Sequence, residues 1–391
     1  MSRCDTGDGV EADGTPRAER AAQRNGDEVG LGKTSEDEVE RKISRVKDTC
    51  PKFSFLQGSS YHVLVIRGFS LRFRDDVLVF FQMNSLIHTP TSRRVVVSGA
   101  SGLVGSALVA ALRARHCDVL RLVRRAVNAS DEIFWDPSRG ELDPAALENC
   151  AAIVNLAGEN IGAGRWTAAR REQILRSRVD ATRTLVATIA KLQWRPRVFV
   201  NASAVGCYGN RGDEKLTEAS AIGQGFLPEV CLAWETHAEG ASRLGVRTVL
   251  TRFGMVLSAK GGALAKMLPV FRLGLGGRFG PGRQWMSWIS RDDAIGAIVH
   301  AIEREECRGP INVVAPQPVT NAEFMRTLGR VLHRPAWAPV PAFILRAAFG
   351  QMADETLLAS TRALPEKLSA SGYVFRHADL ESAMRAALGD H

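Results

Sequence analysis

The sequence predicts an α/β protein: a doubly wound parallel sheet followed by a smaller, mostly helical C-terminal region. Three observations carry this. The stretch Val95-Val-Val-Ser-Gly-Ala-Ser-Gly-Leu-Val-Gly105 sends three β-branched residues into glycines 99, 102 and 105 and then into an apolar run of helical period. From residue 94 to about 258, strand-like runs alternate with helix-length amphipathic runs, the pattern of a parallel sheet covered on both faces. Towards the C-terminus, short helical runs lie between Pro341, Gly350, Pro365 and Gly372.

Composition fits this picture. The chain has 391 residues, 45% hydrophobic and 24% charged, an ordinary globular balance with room for two domains. Its net charge of +9 is uneven, because residues 1–50 hold nine basic and twelve acidic side chains. The remainder is therefore basic and suited to anionic small molecules. No recognition helix or aromatic RNA-binding motif accompanies the charge, so no nucleic-acid partner is expected. The seven cysteines are scattered, with no C-x-x-C and no zinc spacing. They read as reduced thiols without a metal, in the cytoplasm or, as an open alternative, the mitochondrion. No apolar run approaches the ~18 residues of a membrane span, and no membrane partner is expected.

Residues 1–50 are rich in Gly, Asp, Glu, Arg and Ser and lack the apolar surface that would offset ordering entropy. Residues 1–90 are expected to be a disordered or poorly structured extension. Within it, Tyr61–Ile66 and Val77–Phe81 look strand-like. Met83, just upstream of the first regular strand, is a plausible true start; a real accessory segment or a removed targeting sequence is the alternative.

From Arg94 the elements follow in order. Strand 94–98 leads to helix 103–115 and strand 118–124. Strand 151–156 leads to a long helix over 167–192, then strand 198–203 and the loop Gly206-Cys-Tyr-Gly209. Helix 228–243 and strand 246–251 follow. Glycines at 261–262, 274–277 and 280–282 mark loops. Ser290-Arg-Asp-Asp293 opens a helix to about 304, with acids in its first turn. Strand 311–314 and helix 321–333 complete the set. The domains expected are 91–315, a Rossmann-type nucleotide-binding domain with substrate-side loops, and 316–391, a C-terminal helical domain.

The glycine stretch is the dinucleotide-binding turn. Gly99 permits the tight turn, Gly102 lets backbone approach a pyrophosphate, and Gly105 lets helix pack on strand. The backbone from Ser101 through Leu103 and Val104 then faces the phosphates at the positive end of the helix. Strand 118–124 selects the cofactor. An acid there would bind the ribose 2′-hydroxyl of NAD, but this chain has Arg124-Arg125, which suits the 2′-phosphate of NADP. Two solvated arginines are the bland alternative. Asn155-Leu156-Ala157-Gly158 closes the next strand with small residues that let the adenine–ribose half lie against backbone.

These motifs, with Ser203 and Arg252-Phe-Gly-Met-Val-Leu257, resemble the extended short-chain dehydrogenase/reductase superfamily. Gly158-Glu-Asn-Ile161, Arg165-Trp-Thr167, Trp234-Glu235 and Leu268-Pro-Val-Phe-Arg-Leu-Gly-Leu-Gly-Gly277 resemble its atypical epimerase-like subfamily, designated 39U. The likeness runs from about 94 to 388 and includes a C-terminal helical domain of unknown function. It implies a Ser plus Tyr-x-x-x-Lys site in which the phenol moves the proton and the ammonium supports it. This chain departs from that pattern. Four residues beyond Tyr61, Tyr208 and Tyr373 stand Val65, Gly212 and His377. Counted along helix 228–243, the dyad positions hold Cys231 and Glu235, one turn apart on one face. The resemblance thus leaves Ser203, Tyr208, Cys231 and Glu235 as catalytic candidates. It places Arg178 and the backbone at Val256 beside the nicotinamide half.

Two functions follow as expectations. One is an NADP(H)-binding epimerase-like or oxidoreductase-like protein acting on an unknown small molecule, with a sugar nucleotide suggested by fold analogy alone. The other is a non-catalytic NADP(H)-binding regulatory or scaffold protein. The oligomeric state is left open.

Overall fold

The structure, a computed structural model, describes residues 93–389 and four upstream strands between 54 and 82. The expectations for residues 1–50 and for a start at Met83 lie outside the described residues. Contacts divide the chain into two compact units, 1–87 and 88–391. In the first, β1 (Ser54–Gly58), β2 (Tyr61–Ile66), β3 (Phe69–Arg74) and β4 (Val77–Gln82) form an antiparallel meander. The two strand-like runs of the sequence are β2 and β4.

The second unit opens with β5 (Arg94–Ser98), α1 (Leu103–Ala114), β6 (Asp118–Val123), β7 (Glu132–Asp136) and β8 (Glu141–Leu142). Next come β9 (Ala152–Asn155), α2 (Ala168–Lys191), β10 (Val198–Ala204), β11 (Lys215–Leu216), α3 (Phe226–Arg243) and β12 (Arg247–Phe253). Eight strands form one sheet in the order β16-β12-β10-β9-β5-β6-β7-β8, where β16 is Gly309–Val313. Every neighbouring pair is parallel except the edge pair β7–β8. The doubly wound α/β sheet predicted from the sequence is therefore present. β7 and β8 extend it beyond the expected strands. Their sequence follows Asn128-Ala-Ser, which reads as a turn, yet Trp135 of β7 is wholly buried.

Strand alternation explains the two layers. Val95 and Val97 of β5 enter one core with Leu108 and Leu112 of α1 and Ile295 and Ile298 of the helix 291–303. Val96 points the other way, into a core with Ala181, Leu185 and Ile189 of α2 and Ala238 of α3. A strand buried on both faces needs a continuous apolar run, and each such valine stabilises the fold by roughly 1.5–3 kcal/mol.

The rest of the chain comprises β13 (Met255–Leu257), α4 (Gly262–Arg272), β14 (Trp285–Met286), β15 (Trp288–Ser290), α5 (Arg291–Glu303), β16, β17 (Val319–Thr320), α6 (Asn321–Val331), α7 (Ala342–Phe349), β18 (Arg362–Ala363), α8 (Glu366–Ala370) and α9 (Leu380–Leu388). A third core mixes Leu264 and Leu268 of α4 and Trp288 of β15 with Phe324 and Leu328 of α6 and Met384 of α9. The C-terminal helical region is thus packed into the unit. One junction is Asp293. Its carboxylate accepts from the Arg376 N–H at 2.8 Å, the His377 N–H at 3.0 Å, the Tyr373 hydroxyl at 3.1 Å and the Ser290 hydroxyl at 2.7 Å.

Candidate functional site

The site is built on the turn from β5 into α1. Gly99 has φ +67°, and a Cβ there would lie 2.6 Å from the Leu156 carbonyl oxygen. A Cβ on Gly105 would run into the Gly99 carbonyl. Both positions admit glycine alone. Gly102 differs: its nearest contact would be Gly99 O at 3.3 Å, and the residue is exposed. No side chain caps α1 at Gly102, and its first turn holds no acid. Ser101, Gly102, Leu103 and Val104 therefore present a helix N-terminus that can hold a pyrophosphate. Leu103 also reaches the facing turn, 3.4 Å from where a Gly262 Cβ would stand; that point is 3.7 Å from the Val256 carbonyl oxygen. Val256 is thus brought to the mouth of the same cleft.

A buried lattice holds the next strand end. The Ser98 hydroxyl donates to Asn155 Oδ1 at 2.6 Å and accepts from the Leu156 and Ala157 N–H groups at 3.2 and 3.3 Å. Asn155 Nδ2 donates to Asn201 Oδ1 at 2.7 Å and Thr182 Oγ1 at 3.0 Å. Leu156 and Ala157 are therefore fixed against the glycine turn. Beside them, Arg178 donates to the Ile174 and Glu159 carbonyls at 2.9 and 3.0 Å and lies 5.1 Å from the centre of the Trp234 ring. A Cβ on Gly158 would sit 3.2 Å from its guanidinium carbon. Burial lowers the Arg178 pKa, and among the described residues no carboxylate hydrogen-bonds it. It is a cation that a bound phosphate or ribose can engage.

The two arginines after β6 differ. Arg125 forms a fork on Glu132, at 2.6 and 2.9 Å. Its hydrogen bonds to Glu132 lower that carboxyl's pKa. Arg124 is exposed and makes no hydrogen bond or ion pair among the described residues. Asp131, the nearest following acid, is held by Arg121 at 2.7 and 2.8 Å, which lowers its pKa to about 2. Among the described residues of this stretch, Asp131 and Glu132 are thus both engaged by arginines, and Arg124 is left exposed beside them.

The four catalytic candidates meet in a buried cluster, joined by residues that sequence reasoning missed. The Ser203 hydroxyl donates to Glu235 Oε1 at 2.6 Å. Arg252 donates to Glu235 through Nε at 2.8 Å and a terminal nitrogen at 2.7 Å. Its other terminal nitrogen donates to the Tyr208 oxygen at 3.0 Å, and the Tyr208 hydroxyl donates to Asn312 Oδ1 at 2.7 Å. Asn312 N–H then donates to Glu218 Oε1 at 3.0 Å. Burial works against the Arg252 cation, but its bonds to Glu235 more than offset this and leave its pKa raised. Burial pushes the Tyr208 phenol up to about 12 and the Cys231 thiol up to about 11. Tyr208 is 0% exposed, and its oxygen both accepts from Arg252 and donates to Asn312, which holds it inside the buried network. Cys231 makes a long contact of 3.7 Å to the Ala204 carbonyl. Arg252 was visible in the sequence only as part of a strand-end motif; Asn312 and Glu218 gave no signal. Among the described residues no group of three His, Cys, Asp or Glu side chains could hold a metal.

Comparison with known proteins agrees with this geometry. The model for the NAD dependent epimerase/dehydratase family matches residues 95–314, and a domain of unknown function (DUF1731) matches 340–387. An epimerase family protein of Mycobacterium tuberculosis is 46% identical over 290 residues, covering 74% of this chain and 96% of that relative. The epimerase family protein SDR39U1 of Homo sapiens is 36% identical over 298 residues, 75% of this chain and 98% of the relative. The crystal structure of human SDR39U1 (isoform 2) with NADPH has a TM-score of 0.69 at 34% identity, covering 76% of this chain and 100% of that one. With this fold, this glycine turn and these relatives, the chain belongs to the NAD dependent epimerase/dehydratase family, alongside the SDR39U1 proteins.

Proposed function

We propose that this protein holds NADPH in the cleft between the glycine turn and α3 and that it does not use the phenol–ammonium proton transfer of its superfamily. NADPH fits the cleft because Gly99, Gly102 and Gly105 leave room for a pyrophosphate, Arg124 awaits the 2′-phosphate, and Arg178 stands at the ribose side. The solved human relative carries NADPH. When bound, NADPH supplies a hydride; everything else must come from the chain.

One observation carries the second half of the proposal: the position of the supporting ammonium is Glu235, and both its oxygens are occupied by Arg252 and Ser203. A carboxylate cannot stabilise a phenolate, and here it is neutralised by a guanidinium. Cys231 with a raised pKa is a weak proton donor at neutral pH. The protein therefore binds NADPH firmly and reduces ordinary ketones or sugar nucleotides slowly or not at all. This favours a cofactor-bound regulatory role. A second reading rests on the Ser203–Glu235 hydrogen bond of 2.6 Å, which polarises the hydroxyl enough to relay a proton from a substrate oxygen.

The test is NADPH oxidation across a panel of carbonyl compounds, with calorimetric NADPH binding measured on the same protein. Firm binding with negligible turnover supports the proposal. Turnover of order 10 s⁻¹, an ordinary enzyme rate, rejects it, and loss of that rate in Ser203→Ala establishes the second reading.

A further inference from the structure

α7 is an eight-residue helix, Ala-Phe-Ile-Leu-Arg-Ala-Ala-Phe, that buries only Leu345. Phe343 is 70% exposed, and Ile344 and Phe349 also face solvent. A helix that is apolar everywhere but at one arginine normally lies inside a core or against a partner. The segment entering α7 exposes Trp337 at 71%, and the turn after α4 exposes Leu273 at 76% together with Leu275. Backbone bonds join these pieces. Ala338 N–H donates to Gly276 O at 3.1 Å, Val340 N–H to Arg278 O at 2.8 Å, and Gly280 N–H to Val340 O at 2.8 Å. Six large apolar side chains thus stand out from adjoining segments, beyond the scattered exposure normal for a surface.

The charge around them is mostly basic. Arg272, Arg278 and Arg334 are exposed at this corner, and Arg165 donates to the Ala347 carbonyl of α7 at 2.6 Å. Neither 240–291 nor 324–353 contains an acidic residue; Arg346 pairs with Asp354 just beyond.

We propose that this corner docks on an anionic lipid surface, its aromatic and aliphatic side chains entering the headgroup region while the arginines meet lipid phosphates. Interfacial Trp and Phe flanked by Arg are the combination that binds such surfaces. A second copy fits less well, because a two-fold contact through acid-free segments sets cation against cation. A protein partner would have to supply acids for a rim that here is mostly basic. The expectation of no membrane partner rested on the lack of a long apolar run. No helix among the described residues is long and apolar enough to cross a membrane, and a docking surface needs none.

The test uses the full-length protein with phosphatidylcholine vesicles, alone or containing roughly one-third phosphatidylserine. Expected is about tenfold more co-sedimentation with the anionic vesicles, weakened by added salt. Trp337→Ser with Phe343→Ser should cut binding about tenfold while thermal stability and NADPH affinity hold. If that variant does not fold, Arg272→Gln with Arg334→Gln should remove most of the salt-sensitive binding. Equal recovery with both vesicle types, or undiminished binding in a folded variant, overturns the proposal. So does a dimer in light scattering that the double Ser variant splits, which makes a second copy the occupant.

Discussion

Arg252 grips both carboxylate oxygens of Glu235, at 2.8 and 2.7 Å, with neither side chain more than a tenth exposed. Removing one member of such a pair leaves the other charged and buried, at a cost of about 3–5 kcal/mol. Arg252→Met should therefore destabilise the fold strongly in urea denaturation. Replacing both residues, Arg252→Met with Glu235→Leu, should recover much of the loss. Additive losses would show that the pair is not a unit.

Arg124 and Arg125 should separate in binding assays. Arg124→Ala removes a charge-assisted contact worth about 1.5–3 kcal/mol, so NADPH affinity should fall about tenfold or more while NADH affinity stays the same. Arg125→Ala frees Glu132 instead and should act on stability more than on cofactor preference. Calorimetry with both nucleotides distinguishes the two.

Glycine substitutions should split folding from binding. Gly105→Ala drives a methyl into the Gly99 carbonyl, and soluble protein should be lost. Gly102→Ala meets only one atom, at 3.3 Å, in the open approach to α1. That variant should keep its thermal midpoint and lose NADPH affinity.

The acid limb of stability carries a signature of Asp131. Arg121 lowers its folded pKa to about 2, below the ordinary 3.8. Its contribution is therefore complete above the unfolded value and is lost as pH falls from about 4 towards 2. Arg121→Met should remove most of that contribution, with Arg113 still paired to Asp131, and shift acid unfolding to higher pH. A midpoint that does not move would reject the assignment.

What the sequence by itself determined is local. Three valines, three spaced glycines and an amphipathic run specify strand, turn and helix within about twenty residues, because φ/ψ freedom, side-chain alternation and helical period act between near neighbours. The expected helix over 103–115 is Leu103–Ala114, and the one over 167–192 is Ala168–Lys191. The face shared by Cys231 and Glu235 was legible in the same way, through a spacing of four. Tertiary structure decided what those residues touch. Glu235 meets Arg252 across 17 positions, Arg252 meets Tyr208 across 44, and Tyr208 meets Asn312 across 104. These contacts exist because the sheet sets β16, β12 and β10 side by side. No spacing along the chain encodes that order. The same holds for Arg125, which reads like Arg124 in the sequence until β7, a strand hidden behind a turn-like run, delivers Glu132 to it.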